Sequence, residues 1–299
     1  MSIKPWIQAA RLRTLPLSVS GIIVGSAYAY YQGFSDWRIV VLALLTTLGL
    51  QVLSNYANDY GDGVKGTDAN RIGEKRLVAS GVITAEQMKK AVIITAILTF
   101  IIALLLIYVA FGKENFALSL IFILLGIGSI GAAIKYTVGK SAYGYSGFGD
   151  VFVFIFFGLV SVIGSNFLFT HFIDWKLFLP ATAIGLLSVA VLNLNNMRDI
   201  ENDKIAGKNT LVVKFGLKFG LWYQRILIFL PFVFIILFFL FINKKFPIEI
   251  PFFIGYMFVH NNYISKVTNP RDFDSELKKI ALSTFVLSLV LFLKLIPFY

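Results

Sequence analysis

Long uncharged apolar stretches constrain this chain more than any other feature of its sequence. A segment of about 20 apolar residues is long enough to cross the hydrocarbon core of a bilayer. The chain is 58% hydrophobic and only 14% charged, against roughly 25% charged residues in an ordinary soluble domain. Because backbone groups inside a bilayer must bond within their own segment, these stretches predict transmembrane helices. The clearest of them are residues 91–111, 116–134, 151–170, 177–194 and 226–242.

Less uniform stretches complete the predicted set of spans. They are residues 15–31, 247–264 and 279–297, together with a run that begins at residue 38 and ends in a polar segment. We therefore predict an all-α integral membrane protein with nine transmembrane helices. Residues 1–299 are predicted to form one polytopic membrane domain. Its two halves, about 1–140 and 141–299, each carry a polar segment at the end of a helical hairpin, which suggests an internal duplication.

Basic residues are distributed unevenly between the predicted loops. The chain has 27 Lys and Arg and a formal net charge of +11. Most of them lie at the N-terminus and in the loops after the second, fourth, sixth and eighth spans, and basic loops stay on the cytoplasmic side. This pattern predicts a protein of the cell (cytoplasmic) membrane whose N-terminus and polar segments face the cytoplasm. Because the basic residues form no hydrophilic domain, we expect no nucleic-acid partner.

The two polar segments end apolar runs and carry the same types of side chain. We call residues 55–68 the first motif and residues 195–203 the second motif. In both, carboxylates and carboxamides recur at helical spacing, which places them on one face of a helix. Carboxylates at a membrane position are costly, so both motifs are candidate functional sites. The first motif carries Asn55, Asn58, Asp59, Asp62 and Asp68, and the second carries Asn195, Asp199 and Asp203.

The chemistry of the motifs favours a hard cation beside a phosphate. The chain has no Cys and two His, and oxygen ligands alone suit Mg²⁺, with Mn²⁺ as a possible substitute. Magnesium is commonly shared between carboxylates and substrate phosphates. A phosphate site among membrane lipid predicts a lipid diphosphate, whose departure leaves a carbocation that aromatic walls can shield. Candidate phosphate-binding cations are Lys65, Arg71, Lys75, Arg76, Arg198 and Lys208; candidate wall residues are Tyr56, Tyr60, Tyr136, Tyr143 and Tyr145.

Some of these residues have two interpretations. Asp59 is either a metal ligand or a partner for Lys65 or Arg71. Lys135, at the end of a span, is either a topology anchor or a ligand of the diphosphate or of an acceptor carboxylate. Glu201 lies off the face of the second motif and is predicted to be solvated. For the whole protein, the alternative to an enzyme is an ion-coupled transporter, since transporters also place carboxylates inside the membrane.

The motifs resemble those of the UbiA superfamily of intramembrane prenyltransferases. The similarity is carried by residues 10–18, 58–68 and 195–211. Glu74 departs from the pattern, because a proline is expected there. The resemblance implies nine helices around a central lipid-open cavity and a Mg²⁺ site in which four aspartates are catalytic. The implied metal ligands are Asn58, Asp62, Asp68, Asn195, Asp199 and Asp203, and the implied catalytic residues are Asp62, Asp68, Asp199 and Asp203.

The resemblance also implies a reaction. The chain is most similar to the branch of the superfamily that transfers a polyprenyl group from polyprenyl diphosphate to an aromatic acceptor, 1,4-dihydroxy-2-naphthoate, with loss of CO₂, in menaquinone synthesis. The alternative acceptors on the same scaffold are 4-hydroxybenzoate, homogentisate, haem and a glycerol ether. The residues expected to bind the substrates are Asn58, Lys65, Arg71, Arg76, Lys135, Tyr136, Tyr145, Asn195, Arg198 and Lys208.

Overall fold

The computed structural model describes residues 3–66, 76–139 and 142–296, and the regular structure in these ranges is entirely helical. The all-α prediction is therefore confirmed. In addition, three-residue 3₁₀ turns occur at Leu12–Thr14, Tyr143–Tyr145 and Pro270–Asp272. The helices are α1 (Lys4–Ala10), α2 (Leu15–Tyr31), α3 (Trp37–Lys65), α4 (Ala85–Phe111), α5 (Phe116–Lys135), α6 (Gly149–Thr170), α7 (Trp175–Arg198), α8 (Ile200–Ile205), α9 (Leu211–Phe241), α10 (Ile250–Ile264) and α11 (Phe273–Leu295).

Each predicted span overlaps one of the longer helices, although α9 begins at Leu211 rather than near residue 226. Not all of these helices meet a strict criterion for crossing a membrane. Within the described ranges, six are long and apolar enough by length and composition. These six are α3, α4, α5, α6, α7 and α9. The chain is thus a multi-pass membrane protein, while the count of nine and the central cavity stay predictions.

Local sequence signals set several helix boundaries. Thr84 and Gln87 form a capping box, with reciprocal side-chain to backbone hydrogen bonds at the start of α4. Gly66, just after α3, has a φ of 72°, a conformation that favours glycine. The first motif therefore continues the helix of the preceding span as far as Lys65, as its spacing predicts.

The chain divides into two compact units. The first contains Met1–Ser18, Trp37–Gly149 and Glu201–Thr210, and the second contains Val19–Asp36, Asp150–Ile200 and Leu211–Tyr299. The suggested duplication of two sequence halves stays a prediction.

In the first unit, α3 packs against α4 and α5. A small core lies beside the first motif, formed by Ala9, Leu77, Ile83 and Met88. The side chains of α5 are different, because none of them is buried. An apolar helix with this exposure is suited to contact with lipid acyl chains.

In the second unit, α7 is the central helix. It packs against α9, α11 and the middle of α6. Of the residues in its most apolar part, 67% are buried. The middle of α6, Phe154–Gly164, is a π-helix, which the apolar pattern does not indicate. A methyl group on Gly158 would lie 2.6 Å from the Ala181 carbonyl oxygen, so glycine is needed for the close packing of α6 on α7.

Candidate active site

The first motif places a buried carboxylate near the end of α3. Asp62 is 1% exposed. Its Oδ1 accepts a hydrogen bond from the Tyr145 hydroxyl at 2.7 Å. Its Oδ2 accepts hydrogen bonds from Arg76 Nη2 at 3.2 Å and from Lys208 Nζ at 3.4 Å. Three donors from three separate segments of the first unit therefore meet at one carboxylate.

Lys208 connects the first motif with the end of the second. Its ammonium group lies 3.8 Å from Asp203 Oδ1, and its backbone N–H donates to the Asp203 carbonyl at 2.8 Å. The turn between these two residues contains Gly207, whose φ of 70° favours glycine. Asp62 and Asp203 are far apart in the sequence, yet they share this cation.

Tyr145 presents its ring to two of the cations. Lys65 Nζ lies 4.0 Å from the ring centroid and Lys208 Nζ lies 4.9 Å from it. The negative face of an aromatic ring attracts a cation at such distances. The Tyr145 carbonyl also accepts the backbone N–H of Asn209 at 2.9 Å, which holds the tyrosine beside the turn that carries Lys208. We name as the Asp62 centre the six residues Asp62, Lys65, Arg76, Tyr145, Asp203 and Lys208.

Thr137 supports this centre, although the sequence did not single it out. Its hydroxyl donates to Asn58 Oδ1 at 3.0 Å, and its carbonyl accepts Lys65 Nζ at 2.8 Å. A methyl group on Gly61 would lie 2.9 Å from the Thr137 carbonyl oxygen, so glycine allows this approach to α3. The only sequence signal was its position directly after Lys135 and Tyr136.

Two predicted binding residues, Lys135 and Tyr136, directly precede Thr137 in the chain. Tyr136 packs edge-on against Tyr143, with ring centroids 5.3 Å apart. Burial raises the pKa of the Tyr143 hydroxyl to about 12, and this hydroxyl donates to the Ala132 carbonyl at 2.9 Å. Lys135 ends α5 with an exposed side chain. Roles for Lys135 and Tyr136 in substrate binding stay predictions.

Two other polar residues of the first motif, Asn55 and Asp59, form hydrogen bonds with backbone groups. The Asn55 carboxamide donates to the Ala10 carbonyl at 2.8 Å. Asp59 is 1% exposed and accepts the backbone N–H groups of Leu77 and Val78 at 3.1 and 3.0 Å. These donors differ from Lys65 and Arg71, the partners considered for Asp59, because spacing along α3 does not reveal which later segment packs against it.

The second motif begins around a buried guanidinium in the second unit. The Arg198 side chain is 1% exposed. Its Nε and Nη2 donate to the two oxygens of Asp199, each at 2.8 Å, and Nη2 also donates to Asn195 Oδ1 at 2.7 Å. Its Nη1 donates to Asp274 Oδ1 at 2.5 Å. We name Asn195, Arg198, Asp199 and Asp274 the Arg198 centre.

Asp274 is the residue of this centre that the sequence did not single out. It lies in the first turn of α11, where an acidic residue is expected because it complements the helix dipole. Because its position in the first turn is already explained in this way, the sequence gives no sign of its contact with Arg198. Glu201 is exposed, as predicted. The residues Asp68, Arg71, Glu74 and Lys75 lie outside the described ranges.

Both centres have donor groups that fit a hard divalent cation. No group of three or more Asp, Glu or His side chains forms a metal-binding cluster in the described part of the chain. However, the carboxylates of Asp62 and Asp203 already face one shared cation, Lys208, and those around Arg198 also face a cation. Oxygen-only donor sets of this kind suit Mg²⁺.

Comparisons with known proteins show the family of the chain. The model of the UbiA prenyltransferase family matches residues 18–293. A protein of Escherichia coli (strain K12) named 1,4-dihydroxy-2-naphthoate octaprenyltransferase is 51% identical over 212 residues, which cover 71% of this chain and 68% of that protein. A protein of Haemophilus influenzae with the same name is 48% identical over 230 residues, which cover 76% of this chain and 74% of that protein.

Solved structures share the fold at lower identity. A UbiA homologue from Archaeoglobus fulgidus, bound to DMAPP and Mg²⁺, has a TM-score of 0.61 and 17% identity, covering 94% of this chain and 98% of that one. The apo structure of a UbiA homologue from Aeropyrum pernix K1 has a TM-score of 0.65 and 13% identity, covering 97% and 99%. Because the family model spans nearly the whole sequence and the relatives are close, this chain belongs to the UbiA prenyltransferase family.

Proposed function

We propose that the protein transfers a polyprenyl group from polyprenyl diphosphate to 1,4-dihydroxy-2-naphthoate, with loss of CO₂, as a step of menaquinone synthesis. The observation that carries this proposal is the Asp62 centre, which gathers Lys65, Arg76 and Lys208 at the end of an apolar helix. Such a cluster of cations suits the oxygens of a diphosphate. The names of the relatives from Escherichia coli and Haemophilus influenzae support the choice of acceptor.

The proposed reaction is balanced without an additional reactant. The bond between the prenyl carbon and the diphosphate oxygen breaks, and its electron pair leaves with the diphosphate. The ring carbon that bears the carboxylate forms a bond to the prenyl carbon. The carboxylate then leaves as CO₂, and the electron pair of the broken bond restores the aromatic ring to give demethylmenaquinol. No ring proton has to be removed, because the carboxylate occupies that position.

The side chains of the Asp62 centre have separate roles in this proposal. Arg76, Lys65 and Lys208 bind the diphosphate and stabilise the negative charge that grows as it departs. The Tyr145 ring lies beside two of these cations and offers an aromatic face to an allylic cation. Arg71 and Arg198 are further candidates for diphosphate binding, and Lys135 and Tyr136 are candidates for binding the acceptor.

Magnesium, when bound, would neutralise charge on the diphosphate. Binding of Mg²⁺ requires hard oxygen donors, and the two motifs supply them as carboxylates and carboxamides. The residues proposed to hold it are Asn58, Asp62, Asp68, Asn195, Asp199 and Asp203.

The experiment that tests the function offers labelled polyprenyl diphosphate to the purified protein with one acceptor at a time. We expect prenylated product and equimolar CO₂ with 1,4-dihydroxy-2-naphthoate, and loss of both with EDTA. Product with 4-hydroxybenzoate, homogentisate, haem or a glycerol ether instead would overturn the acceptor. No product with any acceptor would overturn the proposed function.

The proposal also includes an orientation in the cytoplasmic membrane, with the N-terminus and both motifs on the cytoplasmic side. The absence of Cys makes this testable with single introduced thiols. Glu201 and Glu114 are both exposed, and the charge pattern assigns them to opposite sides. In intact cells, a membrane-impermeant maleimide should label Glu114→Cys and not Glu201→Cys, whereas inverted vesicles should give the reverse. Labelling of both variants in intact cells would contradict this orientation.

A further inference from the structure

We infer that Asp59 is a positioning residue that fixes the backbone next to Arg76 and so aims this arginine at the diphosphate. The inference rests on the proposed function, because it assigns Arg76 to the leaving group. Its basis is a contact between the first motif and the two residues that follow Arg76. Asp59 itself is assigned no contact with substrate or metal.

The contact is a carboxylate that accepts two consecutive backbone N–H groups. Asp59 Oδ2 accepts the N–H of Leu77 at 3.1 Å, and Asp59 Oδ1 accepts the N–H of Val78 at 3.0 Å. Both Asp59 and Leu77 are 1% exposed. Charge-assisted hydrogen bonds are stronger than neutral ones, and burial protects them from competition by water. This pair of bonds therefore determines where the chain runs after Arg76.

Apolar packing holds the same segment from its other side. The Leu77 side chain belongs to the small core that contains Ala9, Ile83 and Met88. The backbone of Leu77 is thus fixed by Asp59 and its side chain by the core. Because the backbone and the side chain of Leu77 are both held, the Cα atom of the neighbouring Arg76 has little freedom to move.

One turn of α3 contacts both the backbone that follows Arg76 and the guanidinium of Arg76 itself. Asp59 and Asp62 are three residues apart and lie on neighbouring positions of one helix face. The first carboxylate binds the backbone beside Arg76, and the second accepts Arg76 Nη2 at 3.2 Å. The guanidinium, which is buried with its side chain 5% exposed, is thereby held in one place. A pre-positioned guanidinium loses less conformational entropy when it binds a phosphate.

This geometry opposes the alternative in which Asp59 is a metal ligand. Both of its oxygens accept backbone N–H groups, which cannot turn aside for a metal as the side-chain donors at Asp62 can. A metal at Asp59 would compete with these bonds and leave backbone donors unsatisfied in a buried position.

The test is a double-mutant cycle on polyprenyl diphosphate binding, with Asp59→Asn, Arg76→Gln and the pair. Asp59→Asn keeps the shape but leaves one acceptor oxygen, so the dissociation constant of the diphosphate should rise about tenfold, the effect of a weakened charged hydrogen bond. In the Arg76→Gln variant, adding Asp59→Asn should change the dissociation constant of the diphosphate by less than about twofold, because Asp59 acts through Arg76. The half-saturating Mg²⁺ concentration should not change with Asp59→Asn. Glu201→Gln, at an exposed acidic residue, is the matched control.

Two results would overturn the inference. Multiplicative effects in the cycle would mean that Asp59 acts independently of Arg76, and an altered Mg²⁺ requirement would assign it to the metal. If Asp59→Asn does not accumulate in membranes, Asp59→Glu crossed with Arg76→Lys provides the same comparison. Failure of the proposed function is distinguishable, because the wild-type protein would then neither bind the diphosphate nor form product.

Discussion

The two buried charged centres differ in their balance of charge. In the Asp62 centre, two carboxylates accompany three cations, Arg76, Lys208 and Lys65. Among the described residues, the Arg198 centre has one guanidinium and two carboxylates, and Lys278, which is 55% exposed, lies 3.6 Å from Asp274. An excess of cations favours an anion, and an excess of carboxylates favours a cation. The two centres thus have opposite electrostatic preferences, although each contains residues of the second motif.

The two centres also differ in how tightly their ion pairs are formed. Arg198 binds both oxygens of Asp199 at 2.8 Å. The contacts of Lys208 in the Asp62 centre are longer, at 3.4 Å to Asp62 and 3.8 Å to Asp203. Bidentate arginine pairs are strong and directional, whereas a lysine ammonium is a mobile point charge. The comparison indicates a fixed Arg198 centre and an Asp62 centre whose lysine can turn toward a ligand.

The largest expected effect follows from removing the carboxylate at which the cations meet. Asp62→Ala should abolish turnover in membranes, a loss of roughly three to four orders of magnitude, because the site loses a proposed metal ligand and the carboxylate that balances its cations. Product formation from labelled polyprenyl diphosphate measures the loss, and immunoblotting checks that the protein accumulates. Glu201→Gln is the control. Near-normal turnover would show that Asp62 is not part of the active site. The two centres would then not differ in function in the way proposed.

The next effect concerns the fixed centre. Arg198→Ala should lower the free energy of unfolding by about 3 kcal/mol, because it leaves buried carboxylates without their partner. It should also weaken diphosphate binding. Asp274→Asn should lower the free energy of unfolding by less, since Arg198 keeps its ion pair with Asp199. Thermal melting in detergent measures stability, and titration measures binding. An unchanged melting temperature would show that the Arg198 pairs are not fixed, and an unchanged affinity would exclude Arg198 from diphosphate binding.

The smallest effect sharpens the role of Tyr145. Tyr145→Phe removes the hydroxyl that donates to Asp62 but keeps the ring beside Lys65 and Lys208, so kcat/KM should fall about tenfold, as for one hydrogen bond to a charged group. Tyr145→Leu removes the ring as well and should cost more. Steady-state kinetics on the two variants separates the effects. Equal losses would mean that the ring contributes nothing.

Much of the fold was predictable because it depends on local patterns. Apolar runs gave the long helices, and the Thr84 capping box gave the start of α4. The motifs could also be recognised, because their oxygen-bearing residues recur at helical spacing. The π-helical middle of α6 could not be predicted, since its apolar pattern does not differ from that of an ordinary membrane helix, and the close approach of Gly158 to α7 depends on tertiary packing.

The contacts of the candidate site were less predictable than its residues. Asp59 and Asp62 are near neighbours in the first motif, yet one binds backbone N–H groups and the other binds side-chain cations. Thr137 and Asp274 were not singled out, because neither departs from what a helix end normally carries. Spacing along one helix determines which side chains share a face, but it contains no information about which segment reaches that face.

The sequence by itself determined that this chain is a helical membrane protein with two oxygen-rich motifs, because hydrophobic length and helical spacing are local properties. Only the tertiary structure decided that Asp62 and Asp203 share Lys208, and that Arg198 is enclosed by Asn195, Asp199 and Asp274. The physical reason is that charge pairing in a low-dielectric interior depends on distances between groups that are remote in sequence, and these distances are set by how the segments pack.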